Sequence, residues 1–155
     1  MPIIKKTLLL SLFFIFFSIT KTLAEDLKKI GKYKDWETIV LAETSGKVCF
    51  AQSSPILQSP KTSKRDARLF VTFRPGEKIT NEISTTAGYE FNKNNTVLAT
   101  SGNNKFKFDI KQQGFAWMTS NKKEKIMVRV MKKVLELWLL VITKKVLKQL
   151  IIIHY

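Results

Sequence analysis

The amino-acid sequence predicts a mainly β protein, either an antiparallel β-sandwich or a partly closed barrel, with one helix near its C-terminus. Short segments rich in β-branched and aromatic residues alternate with turn-forming residues from position 36 to position 119. Residues 105–111 (KFKFDIK) alternate between apolar and polar, which is typical of a strand with one wet face. Apolar residues then recur at helical spacing over residues 122–133. About seven short strands and one helix favour these two architectures.

The first predicted strands form a hairpin. Residues 36–42 (WETIVLA) and 47–52 (KVCFAQ) have strand composition, and Ser45-Gly46 supplies the turn between them. Residues 53–67 contain two prolines and several serines and lysines, so we expect a long exposed loop there.

The next segment, residues 68–74 (RLFVTFR), is a predicted strand with Leu69, Val71 and Phe73 on one face. Pro75-Gly76 is a turn dipeptide that ends it.

The remaining predicted strands follow at short intervals. They are residues 79–85, 88–91, 96–100, 105–111 and 114–119. The NKNN segment at 92–95 predicts a turn, and the SGNN segment at 101–104 is a good hairpin connector. In the KFKFDIK strand, period two places Phe106, Phe108 and Ile110 on one face.

The predicted helix has a capping signal at its start. Asn121 is in the position of an N-cap, and Glu124 follows three residues later as in a capping box. Ile126, Met127 and Val130 recur at helical spacing, which predicts an amphipathic helix over residues 122–133.

The N-terminus has the features of an export signal. Lys5 and Lys6 precede an apolar run over residues 8–19, and Thr22-Leu23-Ala24 places small residues before a cleavage point at Glu25. The twelve-residue run is short for a membrane-spanning helix, which needs roughly 20 residues. We therefore predict a signal peptide over residues 1–24, cleaved after Ala24, and delivery to the periplasm or outer envelope. The alternative is an uncleaved membrane anchor.

The mature chain would be one small, basic domain. Removing 24 of the 155 residues leaves 131, which fits a single core over residues 36–133, preceded by a loose polar leading segment over residues 25–35. The leader has three lysines and no acid, so its loss lowers the formal net charge from +15 to +12. Such a charge favours anionic partners, although lysines spread along the chain are also typical of a merely solvated surface. The only cysteine, Cys49, lies in an apolar run and is expected to be a buried, inert thiol.

The sequence marks out no reactive centre. His154 is the only histidine, which leaves Ser/His and Cys/His schemes without a credible base. The acidic residues are scattered, and no cluster has metal-ligand spacing. We therefore predict that the protein is not an enzyme and holds no cofactor or metal.

Two sets of residues are candidate contacts with a partner. The densest basic cluster lies in and after the 53–67 loop. It would bind an anionic partner or, alternatively, be solvated. It comprises Lys61, Lys64, Arg65, Arg68 and Arg74. Four aromatic residues are candidates for a ligand-binding surface; the alternative is that they pack within a small sheet. They are Trp36, Tyr89, Phe91 and Trp117. Nucleic acid is not an expected partner, because basic and stacking residues are not interleaved and the chain is predicted to be exported.

The last 22 residues differ in character from the rest. Residues 134–155 contain no Gly, Pro, Asn or Asp, and their apolar residues follow neither a clean helical nor a clean strand period. Restoring one A in an A-run that encodes Lys132-Lys133 yields KKGIRIVVTGYNKKGT, which supplies a helix-ending Gly and two strands. We therefore hypothesise that a frameshift produced this anomalous tail, and sequencing the gene tests it.

The order and spacing of several segments resemble the invasion-associated locus B family of exported proteobacterial proteins. The segments are DW at 35–36, GKVCFAQSSP at 46–55, LFVTFRP at 69–75, ISTTAGYEF at 83–91, FAWM at 115–118 and MVRVMKK at 127–133. The resemblance implies a periplasmic or envelope-associated protein with a binding or structural role and no defining catalytic activity; some members are linked to host-cell entry. It also implies two closing strands after the helix, where this chain carries the anomalous tail.

The alternative function is a periplasmic module that binds anionic polymer or lipid head groups through the basic loop. The sequence does not identify the envelope or protein partner.

Overall fold

The computed structural model describes residues 26–60, 65–133, 136–142 and 148–154, so the predicted leader and the loop residues Lys61 and Lys64 lie outside the described residues. The strands are β1 (Asp26–Tyr33), β2 (Trp36–Glu43), β3 (Gly46–Ser53), β4 (Leu57–Ser59), β5 (Arg68–Arg74), β6 (Ile79–Thr86), β7 (Thr96–Ser101), β8 (Asn104–Phe108), β9 (Ile110–Gln112), β10 (Phe115–Trp117), β11 (Glu136–Ile142) and β12 (Lys148–His154). A short 3-10 helix covers Pro75–Glu77, and one α-helix, α1, covers Asn121–Met131.

The strands form two antiparallel sheets. The larger sheet has seven strands in the order β1-β2-β3-β5-β6-β10-β9, and the smaller has five in the order β4-β12-β11-β7-β8. The predicted fold class, mainly β and antiparallel with one C-terminal helix, is confirmed, and the sheets do not close into a barrel.

The core lies between the sheets and under α1. Leu69 and Ile83 from the larger sheet, Phe108 from the smaller sheet, and Met127 and Met131 from the helix are all fully buried. These five side chains come from three layers of structure, so the helix completes the same core that the sheets enclose.

The KFKFDIK segment passes from one sheet to the other. β8 belongs to the smaller sheet and β9 to the larger one, and only Asp109 separates them. Phe106 and Phe108 are buried as predicted, but Ile110 is 48% exposed, so its predicted place on the same inward face is wrong. The strand changes layers at Asp109, whose backbone N–H donates to the Trp117 carbonyl at 2.9 Å.

Strand β5 matches both its predicted bounds and its predicted face. Its pairing with β6 shifts register between Thr72 and Arg74, as at a β-bulge. Leu69, Val71 and Phe73 lie on the inner face, as predicted. Leu69 and Val71 are buried in the core, whereas Phe73, near the end of the strand, is 37% exposed. Residues 88–91, predicted as a strand, form a bend and irregular chain, although the turn at 92–95 is present with a hydrogen bond from Asn95 to Asn92.

The leading segment is more ordered than the sequence predicts. β1 pairs antiparallel with β2 from Asp26 to Tyr33 and forms one edge of the larger sheet. A polar, lysine-rich composition is common at sheet edges, where charge opposes pairing with a further strand. Likewise β4 interrupts the predicted 53–67 loop as a three-residue strand that pairs with β12.

The start of α1 differs by one residue from its prediction. The N-cap is Ser120, whose hydroxyl accepts from the Lys123 backbone N–H, and not Asn121. Glu124 does not complete a capping box, because its side chain turns into the core and accepts a hydrogen bond from the backbone of Ile83.

The tail forms two strands in the structure. β11 pairs with β7 and β12, and β12 pairs with β4, so the tail supplies two strands of the smaller sheet. Strand pairing needs only backbone donors and acceptors, and this segment has no proline to remove them. The frameshift hypothesis concerns the gene and stays a prediction.

Candidate interaction surfaces

The arginines of the predicted basic cluster bond to neighbouring groups of the protein. Arg65 donates to the Gln58 side chain and to the Ser59 carbonyl. Arg68 pairs with Asp66 at 2.9 Å. Arg74 donates to both carboxylate oxygens of Glu82, at 2.9 and 3.0 Å.

These arginines do not form one patch. Arg68 begins β5 and Arg74 ends it, so about 20 Å of strand separates them at roughly 3.3 Å per residue. Only Arg65 and Arg68 lie beside the loop, and Asp66 between them offsets part of their charge.

The four aromatic residues selected from the sequence do not share a surface either. Trp36 and Phe91 are buried in the core. Tyr89 packs against that core and contacts Phe91 edge-on, with ring centroids 5.7 Å apart, and burial raises the pKa of its hydroxyl above the ordinary value. Trp117 alone lies on the outer face of the larger sheet.

A different aromatic set crosses that outer face. The outer aromatic row, as we call it, consists of Phe50 on β3, Phe70 on β5, and Phe115 and Trp117 on β10. Ring centroids lie 6.2 Å apart from Phe50 to Phe70, 5.8 Å from Phe70 to Phe115, and 5.7 Å from Phe115 to Trp117. Ring contacts of this length and tilt are favourable. All four rings are half-buried.

Strand register places the row opposite the core. Phe70 pairs with Ser84, and Ser84 pairs with Trp117, so these three side chains share one face of the sheet. Their neighbours Leu69 and Ala116 point the other way and are buried in the core. The signal was present in the sequence, because alternation along residues 68–74 that turns Leu69 inward turns Phe70 outward.

A shallow hollow of about 360 Å³ runs along the row. Apolar residues such as Leu41 and Val48 extend the row, while Glu43 and the Arg74–Glu82 ion pair add charge to the same hollow. The hollow thus combines an apolar surface with paired charge.

A second, smaller hollow of about 320 Å³ lies beside Arg68 and is polar. Glu37 lines it, and hydrogen bonds from Lys29 and then Gln52 lower the pKa of its carboxyl below the ordinary value. Acids and bases both line this hollow, which gives it no strong preference for anions.

The described part of the chain holds no group of three or more His, Cys, Asp or Glu residues placed to bind a metal ion. Cys49 is a free thiol, half-buried on β3, and is therefore less enclosed than the sequence predicts. Among the residues with described structure, no helix has the length and apolar character needed to cross a membrane.

Comparison of the chain with protein-family models, with curated proteins and with solved structures gives no match.

Proposed function

We propose that this protein is an exported, envelope-associated binding protein that resembles the invasion-associated locus B family and has no catalytic role. We further propose that it binds a partner protein through the outer aromatic row. The observation that carries this proposal is the position of Phe50, Phe70, Phe115 and Trp117 on the face of the larger sheet that points away from the core.

Each ring of the outer aromatic row is half-buried, so part of its apolar surface faces water. Antiparallel sheets with one solvated face usually place polar side chains there. Large exposed apolar patches are uncommon on monomeric proteins and mark interaction sites. Aromatic residues and arginine are also enriched at protein interfaces, and Arg74 stands in the same hollow.

The alternative, binding of anionic polymer or lipid head groups through the basic loop, ranks second. The net charge of the chain favours it. Each described arginine of the cluster, however, already bonds to a group within the protein, and a ligand would have to compete with those bonds.

The first test concerns export. The gene, expressed with its leader in a diderm bacterium, should yield a periplasmic or envelope-bound product whose N-terminus is Glu25. A product that stays in the cytosol with Met1 attached would contradict the proposal.

The second test concerns the surface. A photo-crosslinking amino acid at Phe70 should form one discrete protein adduct in the envelope, while the same group at the exposed Lys93, in the 92–95 turn, should form none. Phe50→Ser with Trp117→Ser should reduce the Phe70 adduct, and raised salt should leave it unchanged. Equal adducts at both positions would contradict the proposal, whereas salt-sensitive binding to anionic liposomes would support the alternative.

A further inference from the structure

A groove opens on the inner face of the larger sheet, between strands β2, β3 and β5 and the C-terminal end of α1. Its volume is about 600 Å³, which is within the range of roughly 300–1,000 Å³ typical of small-molecule sites. It lies on the opposite face of the sheet from the outer aromatic row, so a ligand in the groove would be independent of the proposed function.

Small side chains in one register row create this space. Thr38 pairs with Ala51, and Ala51 pairs with Val71, so the three lie side by side across neighbouring strands on one face. Farther along the same row lies Ile83 on β6, where α1 packs and the core is fully closed. Toward β2 the small residues leave the sheet face open.

The surface of the groove is mostly apolar. Trp36, Ala51 and Val71 line its sheet side, and Val128 lines it from the helix. Phe73, which lies on the same face of β5 as Val71 and is 37% exposed, also lines it. An apolar chain lying here would cover the exposed part of Phe73 and of the half-buried Ala51 and Val128.

The charges lining the groove have one sign. Lys34 and Lys132 line it, and none of the described lining residues is acidic. Both lysines are exposed, so their ammonium groups stand where the groove meets water. A ligand that complements this arrangement has an apolar chain and a negatively charged head.

We infer that the groove binds a medium-chain fatty acid such as laurate, with its hydrocarbon chain against Phe73 and Val128 and its carboxylate near Lys34 and Lys132. A fatty acid fits better than a bulky amphiphile because the groove is bounded on two sides, by the sheet and by the helix.

The direct test is a titration of the purified protein with laurate below its critical micelle concentration. Trp36 lines the groove, so laurate should change tryptophan emission saturably at one molecule per chain, and Trp36→Phe should remove the change. Dodecyltrimethylammonium has the same chain length and the opposite charge, and it should bind at least about tenfold more weakly, a difference of about 1.4 kcal/mol.

Lysine variants test whether binding depends on the two groove lysines or only on the net charge of the protein. Lys34→Gln with Lys132→Gln should weaken laurate binding roughly tenfold. Lys122→Gln should leave it unchanged, because Lys122 lies at the other end of α1, about 15 Å from Lys132 along the helix axis at 1.5 Å per residue. Ala51→Phe should fill the groove and abolish binding.

Equal affinity for both amphiphiles, an unchanged affinity in the double lysine variant, or association with phosphatidylglycerol vesicles without binding of free laurate would each overturn the inference. The lysine variants change exposed residues and test it even where Ala51→Phe does not fold.

Discussion

The carboxylate of Glu124 accepts a hydrogen bond from the backbone N–H of Ile83 at 3.1 Å, across 41 positions of sequence. Glu124 is 4% exposed and Ile83 fully buried, so the bond joins α1 to β6 inside the protein. It satisfies a strand donor that would otherwise be buried without a partner.

We therefore expect Glu124→Ala to destabilise the fold. The change leaves the Ile83 N–H unpaired, which costs about 1–3 kcal/mol. Glu77→Ala, at an exposed position with the same chemistry, should change the free energy of unfolding by no more than about 0.5 kcal/mol. Urea denaturation of both variants measures the difference, and similar losses would show that the buried hydrogen bond does not matter.

The same carboxyl predicts a pH dependence. Burial raises the pKa of Glu124 above its ordinary value, the nearby Glu82 carboxylate adds to that, and the bond from Ile83 acts in the opposite direction. A carboxyl whose pKa is higher in the folded state binds protons more tightly there. Its contribution to stability is therefore complete below the unfolded-state pKa and is lost as pH rises through the folded-state pKa.

Denaturation of the wild type and of Glu124→Gln over pH 4–8 isolates this contribution. The wild type should lose stability relative to the variant as pH increases. A relative gain in stability with increasing pH would show that the pKa of Glu124 is lowered, and not raised, by folding.

The layer change at Asp109 provides a matched pair of core and surface substitutions. Phe108→Ala should cost about 3–5 kcal/mol, because a fully buried ring leaves a cavity. Ile110→Ala, two residues later, should cost only about 0.5 kcal/mol because its side chain is half exposed. If both residues pointed inward, as the alternation alone predicts, the two losses would be similar.

Alanine substitutions at two glycines with positive φ distinguish the cost of backbone strain from the cost of a steric clash. A Cβ at Gly102 (φ +53°) would meet nothing within 4 Å, so Gly102→Ala should cost only the left-handed conformation, about 1–2 kcal/mol. A Cβ at Gly88 (φ +79°) would lie 2.7 Å from the Asp66 backbone nitrogen. Gly88→Ala should therefore lower the melting temperature more than Gly102→Ala does, and the opposite order would contradict the described packing.

The sequence predicted local structure well where both ends of a segment carry clear signals. Residues 68–74 coincide with β5 because Pro75-Gly76 ends the strand. The face of Phe73 was also predicted correctly, but its exposure was not, because alternation within one strand does not show where the core ends.

The pairing of strands explains the remaining differences between the predicted and the observed structure. Period two in residues 105–111 describes alternation but not the sheet to which each half belongs, so the change at Asp109 was not predictable from it. Residues 26–33 lack an apolar pattern, and only the neighbouring β2 makes them a strand. The outer aromatic row likewise joins residues 50 to 117 through three strands that sequence spacing does not bring together.

Because β8 and β9 are one stretch of chain broken by a single residue, the alignment of one layer sets the alignment of the other. A slip of one residue in β8 would turn Phe106 and Phe108 outward, and it would also move Lys111 away from Ala116, its partner on β10. An error in strand register would thus disturb both sheets at once, which favours a single register for the whole sandwich.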